Sequence, residues 1–236
     1  MSFALPLHIK ITELLSREIS AGRWQSGERL PPEAELAATL GVAVGTLRKA
    51  LAQLEQQSVI ERRQGSGTYV RQTALGKGVY DLFRLELLHG GGLPTAQIIS
   101  LDCIAHPEQV PIFGNTEAPA QRQCFRLRRL RSLNQTVVAL EEIYFDARHH
   151  PGLQAQDLGE ALYLHYQTHF GFWIAKAQDA VSAATIPAWV PSGFTLSAGA
   201  ACGFIRRHAW ASNDALEEYS LSWFNPSAAH YVSRLK

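Results

Sequence analysis

The apolar positions at the start of the chain recur with a helical period. Leu7, Ile11, Leu14, Leu15 and Ile19 predict a helix over residues 6–21, with Pro6 at its entry and Gly22 just past its end. Residues 27–32 read as a loop. A second, short helix over 33–40 takes its apolar contacts from Ala34, Leu36, Ala37 and Leu40 and stops at Gly41. A third over 44–57 places Leu47, Ala50, Leu51 and Leu54 on one face, with Arg48 and Lys49 beside that face. A short helix, a glycine turn and a second helix carrying free cations form a helix-turn-helix pattern. Two strand-like runs follow, 59–63 and 68–70, separated by the tight turn Gln64-Gly65-Ser66-Gly67. A basic hairpin with small side chains at its tip can lie along phosphates and enter a groove, as a wing does.

Beyond residue 78 the period changes to two. Residues 96–105 read as a strand, and 124–132 with 136–145 as a long hairpin turning at Asn134-Gln135. Residues 157–170 read as a helix with Leu162, Tyr166 and Phe170 in register and Gly171 as its cap, and 202–211 with 215–224 as a second hairpin turning at Ser212-Asn213-Asp214. Hairpins joined by short turns imply antiparallel pairing. Residues 71–78 hold two glycines and no apolar period, and are assigned as a linker. The expected fold class is α+β: a winged helix-turn-helix over 1–70, the linker 71–78, and a mainly antiparallel domain with helices over 79–236.

Composition narrows the class. The chain is 46% hydrophobic and 18% charged, as globular proteins are. It has no run of 18 apolar residues, so no membrane span is expected. Glu13 and Glu18 interrupt the first 19 residues and no small-residue cleavage site follows, so this stretch does not read as a signal peptide and a cytoplasmic protein is expected. Three widely spaced cysteines, Cys103, Cys124 and Cys202, fit neither a disulfide framework nor a four-cysteine zinc site. Net charge is +1, but residues 1–72 carry nine Lys/Arg against seven Asp/Glu, a local +2, while the remainder is at −1. That asymmetry leans faintly towards a polyanionic partner for the first part.

The first 70 residues resemble the GntR family of bacterial regulators. The resemblance is carried by Gly27-Glu28-Arg29-Leu30-Pro31-Pro32-Glu33-Ala34-Glu35-Leu36-Ala37, by the third helix from Gly41 to Leu51, and most closely by the wing, Arg62-Arg63-Gln64-Gly65-Ser66-Gly67-Thr68-Tyr69-Val70. It implies double-stranded operator DNA as the partner, a homodimer and a palindromic site. The chain departs from the family where Pro32 replaces a usual Ser, Ala34 a frequent Arg, and Ala43-Val44 a common Ser-Arg. Those changes remove hydroxyl and cationic contacts and imply an altered operator preference or a weaker grip. Arg48 is the candidate for guanine, because its two-pronged donor matches the O6/N7 pair. Thr46 and Lys49 are assigned to phosphates, with Arg62, Gly65 and Gly67 on the wing.

The remainder resembles the UTRA ligand-sensing domain of the HutC branch, through Arg129-Leu130-Arg131, Ala139-Leu140-Glu141-Glu142, Ala161-Leu162-Tyr163 and Leu216-Glu217-Glu218-Tyr219-Ser220. The resemblance implies a chorismate-lyase-like antiparallel sheet around a pocket for a small, often anionic effector. Strand parity agrees with it: Phe125, Leu127, Arg129 and Arg131 share one face of their strand, and on the return strand Val137, Ala139, Glu141, Ile143 and Phe145 share a parity too. A carboxylate among apolar neighbours needs a partner, so Glu141 either pairs with an arginine across the sheet or faces a polar ligand. Arg129 and Arg131 suit a carboxylate, sulfonate or phosphate held bidentately. Glu141 and Glu218 suit hydroxyls or an amine, and Tyr163 suits hydrogen bonding or stacking. Ala161 stands where sugar-phosphate sensors of this type tend to carry Ser, which argues for a different anion.

Other signals carry less. His165 and His169 are spaced i, i+4 but lack a third ligand, so no metal or cofactor is expected. His89-Gly90-Gly91-Gly92 resembles an esterase oxyanion loop, yet no G-x-S-x-G motif accompanies it, and it is assigned as a turn between a helix and the strand near Ala96. Trp173, Trp189, Trp210 and Trp223 are assigned to the core. The alternative function, a chorismate-lyase-like enzyme carrying a DNA-binding head, lacks an evident nucleophile–base pair. The expectation is therefore a ligand-responsive repressor and not an enzyme.

Overall fold

The computed structural model describes residues 5–71, 82–114 and 123–234. Most of the assigned linker, residues 72–78, lies outside them. The described chain forms two compact units. One comprises residues 5–93 with the tail from 231, and the other residues 94–230.

In the first unit the predicted elements form nearly as read: α1 (Leu7–Ser20), α2 (Glu33–Thr39), α3 (Val44–Gln56), β1 (Ile60–Arg63) and β2 (Gly67–Val70). Gly22 and Gly41 take the left-handed conformation that ends each of the first two helices, at φ 88° and 64°. Ile11, Leu15, Leu36, Leu47, Leu51 and Leu54 make one dry core with Ile60 and Val70. Residues 27–30 line the hairpin as a third strand-like segment: the Gly27 and Leu30 N–H groups donate to the Val70 and Thr68 carbonyls. This lacing fixes the wing against the helices. The unit also contains β3 (Leu85–Leu87), all three residues buried. The turn at His89-Gly92 therefore follows a strand and not the expected helix. With Leu85, Glu86 and Leu87 all enclosed, an extended run satisfies burial where an amphipathic helix would expose one side.

The second unit is a six-stranded antiparallel sheet in the order β4 (Pro94–Ala105), β5 (Gln123–Leu133), β6 (Thr136–Asp146), β9 (Leu216–Phe224), β8 (Ala201–Ala211), β7 (Ile174–Thr185). Both predicted hairpins are present. Asn134 and Gln135 sit at φ 45° and 69°, as a two-residue hairpin of matching twist requires, and Asp214 at φ 60° closes the second. One face of β5 and β6 buries Phe125, Leu127, Ile143 and Phe145 against Leu158, Leu162 and Tyr166, while the opposite face buries Leu130, Leu140 and Trp223 under the segment around Ile186 and Phe194.

Three expectations need correction. The helix expected over 157–170 is only α4 (Leu162–His165), continued by a wide π-type turn, Tyr166–Phe170, and ended at Gly171, φ 79°. Leu158 is extended (φ −81°, ψ 134°), so Gly159 and Glu160 belong to a crossing and Leu158 still reaches the core that Leu162 fills. Strand β7 had no counterpart in the sequence reading, because its alternation of alanine with small polar residues carries no apolar period. Trp173 is not core: it is 53% exposed.

Candidate functional site

In the first unit, α3 and the wing place their cations on the surface. Arg48 and Lys49 are exposed and Thr46 half-buried, because Leu47, Ala50 and Leu51 take the inward face of the helix. The Arg48 Nε donates to Glu33 at 2.6 Å, from the first turn of α2. Arg62 on β1 lies 3.8 Å from Glu33 and 3.7 Å from Glu55, and donates to the Arg48 carbonyl at 3.4 Å. The two predicted arginines thus meet around one carboxylate. At the wing tip, Gly65 (φ 72°) has nothing within 4 Å of where a side chain would start. Gly67 (φ 123°) differs: a Cβ there would stand 2.6 Å from the Arg29 Nε. Any other residue would displace that guanidinium. Arg29, exposed beside the wing, is a cation the sequence reading passed over.

In the second unit the strand register assembles the site. Three alternate cross-strand rows lie on one face of the sheet. The first runs Phe125–Phe145–Glu218–Ala209, the second Leu127–Ile143–Ser220–Arg207–Asp179, and the third Ile98–Arg129–Glu141–Ser222. Period-two geometry therefore puts Arg129, Glu141, Glu218, Arg207 and Asp179 together from five strands. Of the two alternatives for Glu141, pairing across the sheet is what forms. Its carboxylate accepts from the Arg129 Nε at 2.5 Å and lies 3.1 Å from the Arg131 guanidinium, with all three side chains under 10% exposed. Burial works against the charge, yet the two guanidiniums hold the Glu141 carboxyl down at about 2. Glu218 accepts from the Tyr163 hydroxyl at 3.0 Å and the Tyr166 hydroxyl at 2.9 Å. Burial nevertheless raises its pKa against those bonds and the pull of Arg129.

Three members of this network were missed. Arg207 donates to both oxygens of Asp179, at 2.6 and 2.7 Å, and also bonds to Tyr163. Asp179 sits on the unpredicted strand, so its partner had no visible role. Tyr166 was read only as a helix register mark. A cavity of about 450 Å³ opens beside Arg129, lined also by Gln97, Ile98, Gln156, Leu158 and Glu160. Ala161, buried, precedes α4 and offers no hydroxyl.

His165 and His169 stack with ring centroids 4.3 Å apart. Among the described residues, no three His, Cys, Asp or Glu side chains are placed to share a metal ion. Burial, helped by His169 and His150, lowers the His165 pKa to about 4. No helix among the described residues is long and apolar enough to cross a membrane.

Comparison with known proteins divides the chain in the same way. Residues 8–70 match the family of bacterial regulatory proteins, gntR family, and residues 90–230 match the UTRA domain. The chain is 41% identical over 233 residues to the HTH-type transcriptional regulator SmoD of Agrobacterium fabrum, covering 99% of this chain and 97% of that one. It is 29% identical over 163 residues, 67% of this chain and 66% of the relative, to the mannosyl-D-glycerate transport/metabolism system repressor MngR of Escherichia coli. The crystal structure of the possible transcriptional regulator YydK from Bacillus subtilis shares its fold at a TM-score of 0.55 and 18% identity, covering 98% of this chain and 100% of that one.

Proposed function

Since the chain belongs to the GntR family of bacterial transcription regulators, in the HutC branch that carries a UTRA domain, we propose that it is a repressor that binds a palindromic operator as a homodimer and lets go when a small anion enters its UTRA domain. One recognition helix per chain reads one half-site, so a two-fold operator calls for two chains. Arg48 takes a guanine edge and Thr46 and Lys49 take phosphates. Arg62, Gly65 and Gly67 bring the wing backbone to the neighbouring groove.

The observation that carries the effector half is the carboxylate of Glu141, held by two buried guanidiniums of which one, Arg129, lines a cavity. Glu141 occupies the position of an anion. An effector carboxylate or sulfonate takes over Arg129 and Arg131, and Glu141 and Glu218 accept bonds from its hydroxyls while Tyr163 orients it. Charge balance sets the class. Three guanidiniums (Arg129, Arg131, Arg207) face three carboxyl groups (Glu141, Glu218, Asp179), so a monoanion rich in hydroxyls adds less buried charge than a phosphate dianion. The alanine at 161 points the same way. MngR, named for mannosyl-D-glycerate, is concerned with a compound of this chemical type, a glycoside with one carboxylate.

The test is thermal stabilisation by a panel of sugar acids, sulfonated sugars and sugar phosphates, in the parent protein and in Arg129→Ala. A monoanionic sugar is expected to raise the melting temperature of the parent and not of the variant. An undiminished shift in Arg129→Ala moves the pocket elsewhere. A shift by sugar phosphates alone reverses the charge argument.

A further inference from the structure

The glycine turn at His89-Gly92 has no part in either site, yet side chains of α1 and β3 hold it closely. Arg17, in the last turns of α1, is 8% exposed. Its guanidinium donates to three backbone carbonyls: Gly92 at 2.8 Å, Phe83 at 3.2 Å and Leu85 at 2.5 Å. It also lies 5.2 Å from the centre of the Phe83 ring. Only an arginine offers a rigid fork of donors to three carbonyls at once. The glycines close the contact. A Cβ at Gly90 (φ 89°) would stand 3.2 Å from the Ala21 Cβ, and one at Gly91 (φ 64°) 2.6 Å from a Glu18 oxygen. Arg17, Glu18 and Ala21 are the end of α1, so the loop is seated on that helix end through backbone alone.

The tail is tied to the same knot. Glu86 accepts two bonds from Arg234, at 2.5 and 2.9 Å, and one from the Gly91 N–H, while the Val232 N–H donates to the Arg84 carbonyl. The chain enters the effector unit at Pro94 and leaves it at His230. The entry therefore starts from residues held by Arg17 of α1, and the exit ends on residues bonded to Arg84 and Glu86 of the same segment. Gln97 and Ile98, which line the cavity beside Arg129, are only five and six residues along the strand from Gly92.

We propose that the Arg17 clasp is the coupling device of this regulator. Displacement of β4 at the effector site is delivered to the end of α1 through residues 92–98, with the tail as a second tie. The proposal rests on the effector site assigned above. Allosteric coupling is reciprocal, so DNA can serve as the probe while the effector is unidentified.

The experiment is amide hydrogen exchange on the full-length protein, without DNA and with a duplex from upstream of its own gene. The variants are Arg17→Met, Arg17→Lys, Arg234→Ala and a four-residue Gly-Ser insertion at position 76; unchanged exchange in α3 shows that each is folded. Without DNA, Arg17→Met should speed exchange at Leu87 and Gly90 by about tenfold, Arg234→Ala by less, and the insertion should leave it unchanged. With DNA, the parent and the insertion variant should show altered exchange along residues 94–105, and both Arg17 variants should bind DNA without that response. Unchanged exchange at Leu87 and Gly90 in Arg17→Met disproves the clasp. A response that survives in the Arg17 variants, or is lost on insertion at 76, disproves the coupling. Failure of the parent to bind DNA at low salt strikes the operator reading alone, and the DNA-free arm still decides the clasp.

Discussion

The two arginine sets of this protein are held in opposite electrostatic conditions. On the DNA-binding unit, the Arg48 side chain is 65% exposed and leans on a single carboxylate, Glu33. In the effector unit, Arg129 and Arg131 are 6% and 5% exposed and share Glu141. An exposed pair is worth about 0–1 kcal/mol, so Arg48 can leave Glu33 for a base or phosphate at little cost. A buried pair adds little net stability, yet removing one partner strands the other's charge. A surface meant for DNA keeps its cations easily released. The effector unit locks its cations onto an internal anion, which an anionic effector of the kind proposed above would have to replace.

The largest effect that would sharpen this contrast is on stability. Arg129→Ala should destabilise the effector unit by about 3–5 kcal/mol in denaturant unfolding, and replacing Arg129, Arg131 and Glu141 together by apolar residues of similar volume should recover most of it. If Arg129→Ala unfolds like the parent, the pair is not a buried constraint. Next comes acid. His165 is neutral in the fold and takes its proton only near pH 4, whereas the unfolded ring takes it near 6.5. Between those values the unfolded chain binds more protons, so stability falls as pH drops from about 6.5 to about 4, by roughly 2 kcal/mol. Glu141, with its carboxyl at about 2, stays ionised in the fold but takes a proton near 4.5 when unfolded, so it steepens the fall only below about pH 5 and leaves the slope above that to His165. His165→Gln should flatten the curve; an unchanged slope assigns the effect to another group. Arg48→Ala should leave stability within about 0.5 kcal/mol of the parent. It should nonetheless lose about 1–3 kcal/mol of discrimination between operator and scrambled DNA in competition binding. Smallest is Lys49→Ala, which should weaken both DNAs alike and reduce the salt slope by about one.

The two regions also differ in how plainly the sequence announces them. The DNA-binding unit is local. Leu47, Ala50, Leu51 and Leu54 repeat at helical spacing, glycines 22 and 41 mark the stops, and the wing closes within eleven residues. Strand parity likewise grouped Arg129 with Arg131, but the turn at Asn134-Gln135 alone would pair Arg129 with Leu140; a bulge between Arg131 and Ser132 shifts the register and brings Glu141 opposite Arg129. The far wall could not be read that way. Tyr163 meets Glu218 across 55 residues, and Arg207 meets Asp179 across 28 on a strand whose Ala-Lys-Ala-Gln-Asp-Ala pattern shows no apolar face. Leu162, Tyr166 and Phe170 keep a spacing of four through a regular turn and a wide one alike. Their spacing therefore concealed both the π-type turn and the break at Gly159. Long-range pairing and small-residue strands leave no periodic trace.

On the reading proposed above, the exposed cations of α3 and the wing are held ready for DNA. Binding of the full-length protein to a duplex from upstream of its own gene, measured from 50 to 200 mM salt, tests it directly. If Lys49 and Arg62 of two chains each displace a counterion, log K should fall linearly with log salt at a slope of about −4. No binding at the lowest salt, or binding indifferent to salt, would contradict the account.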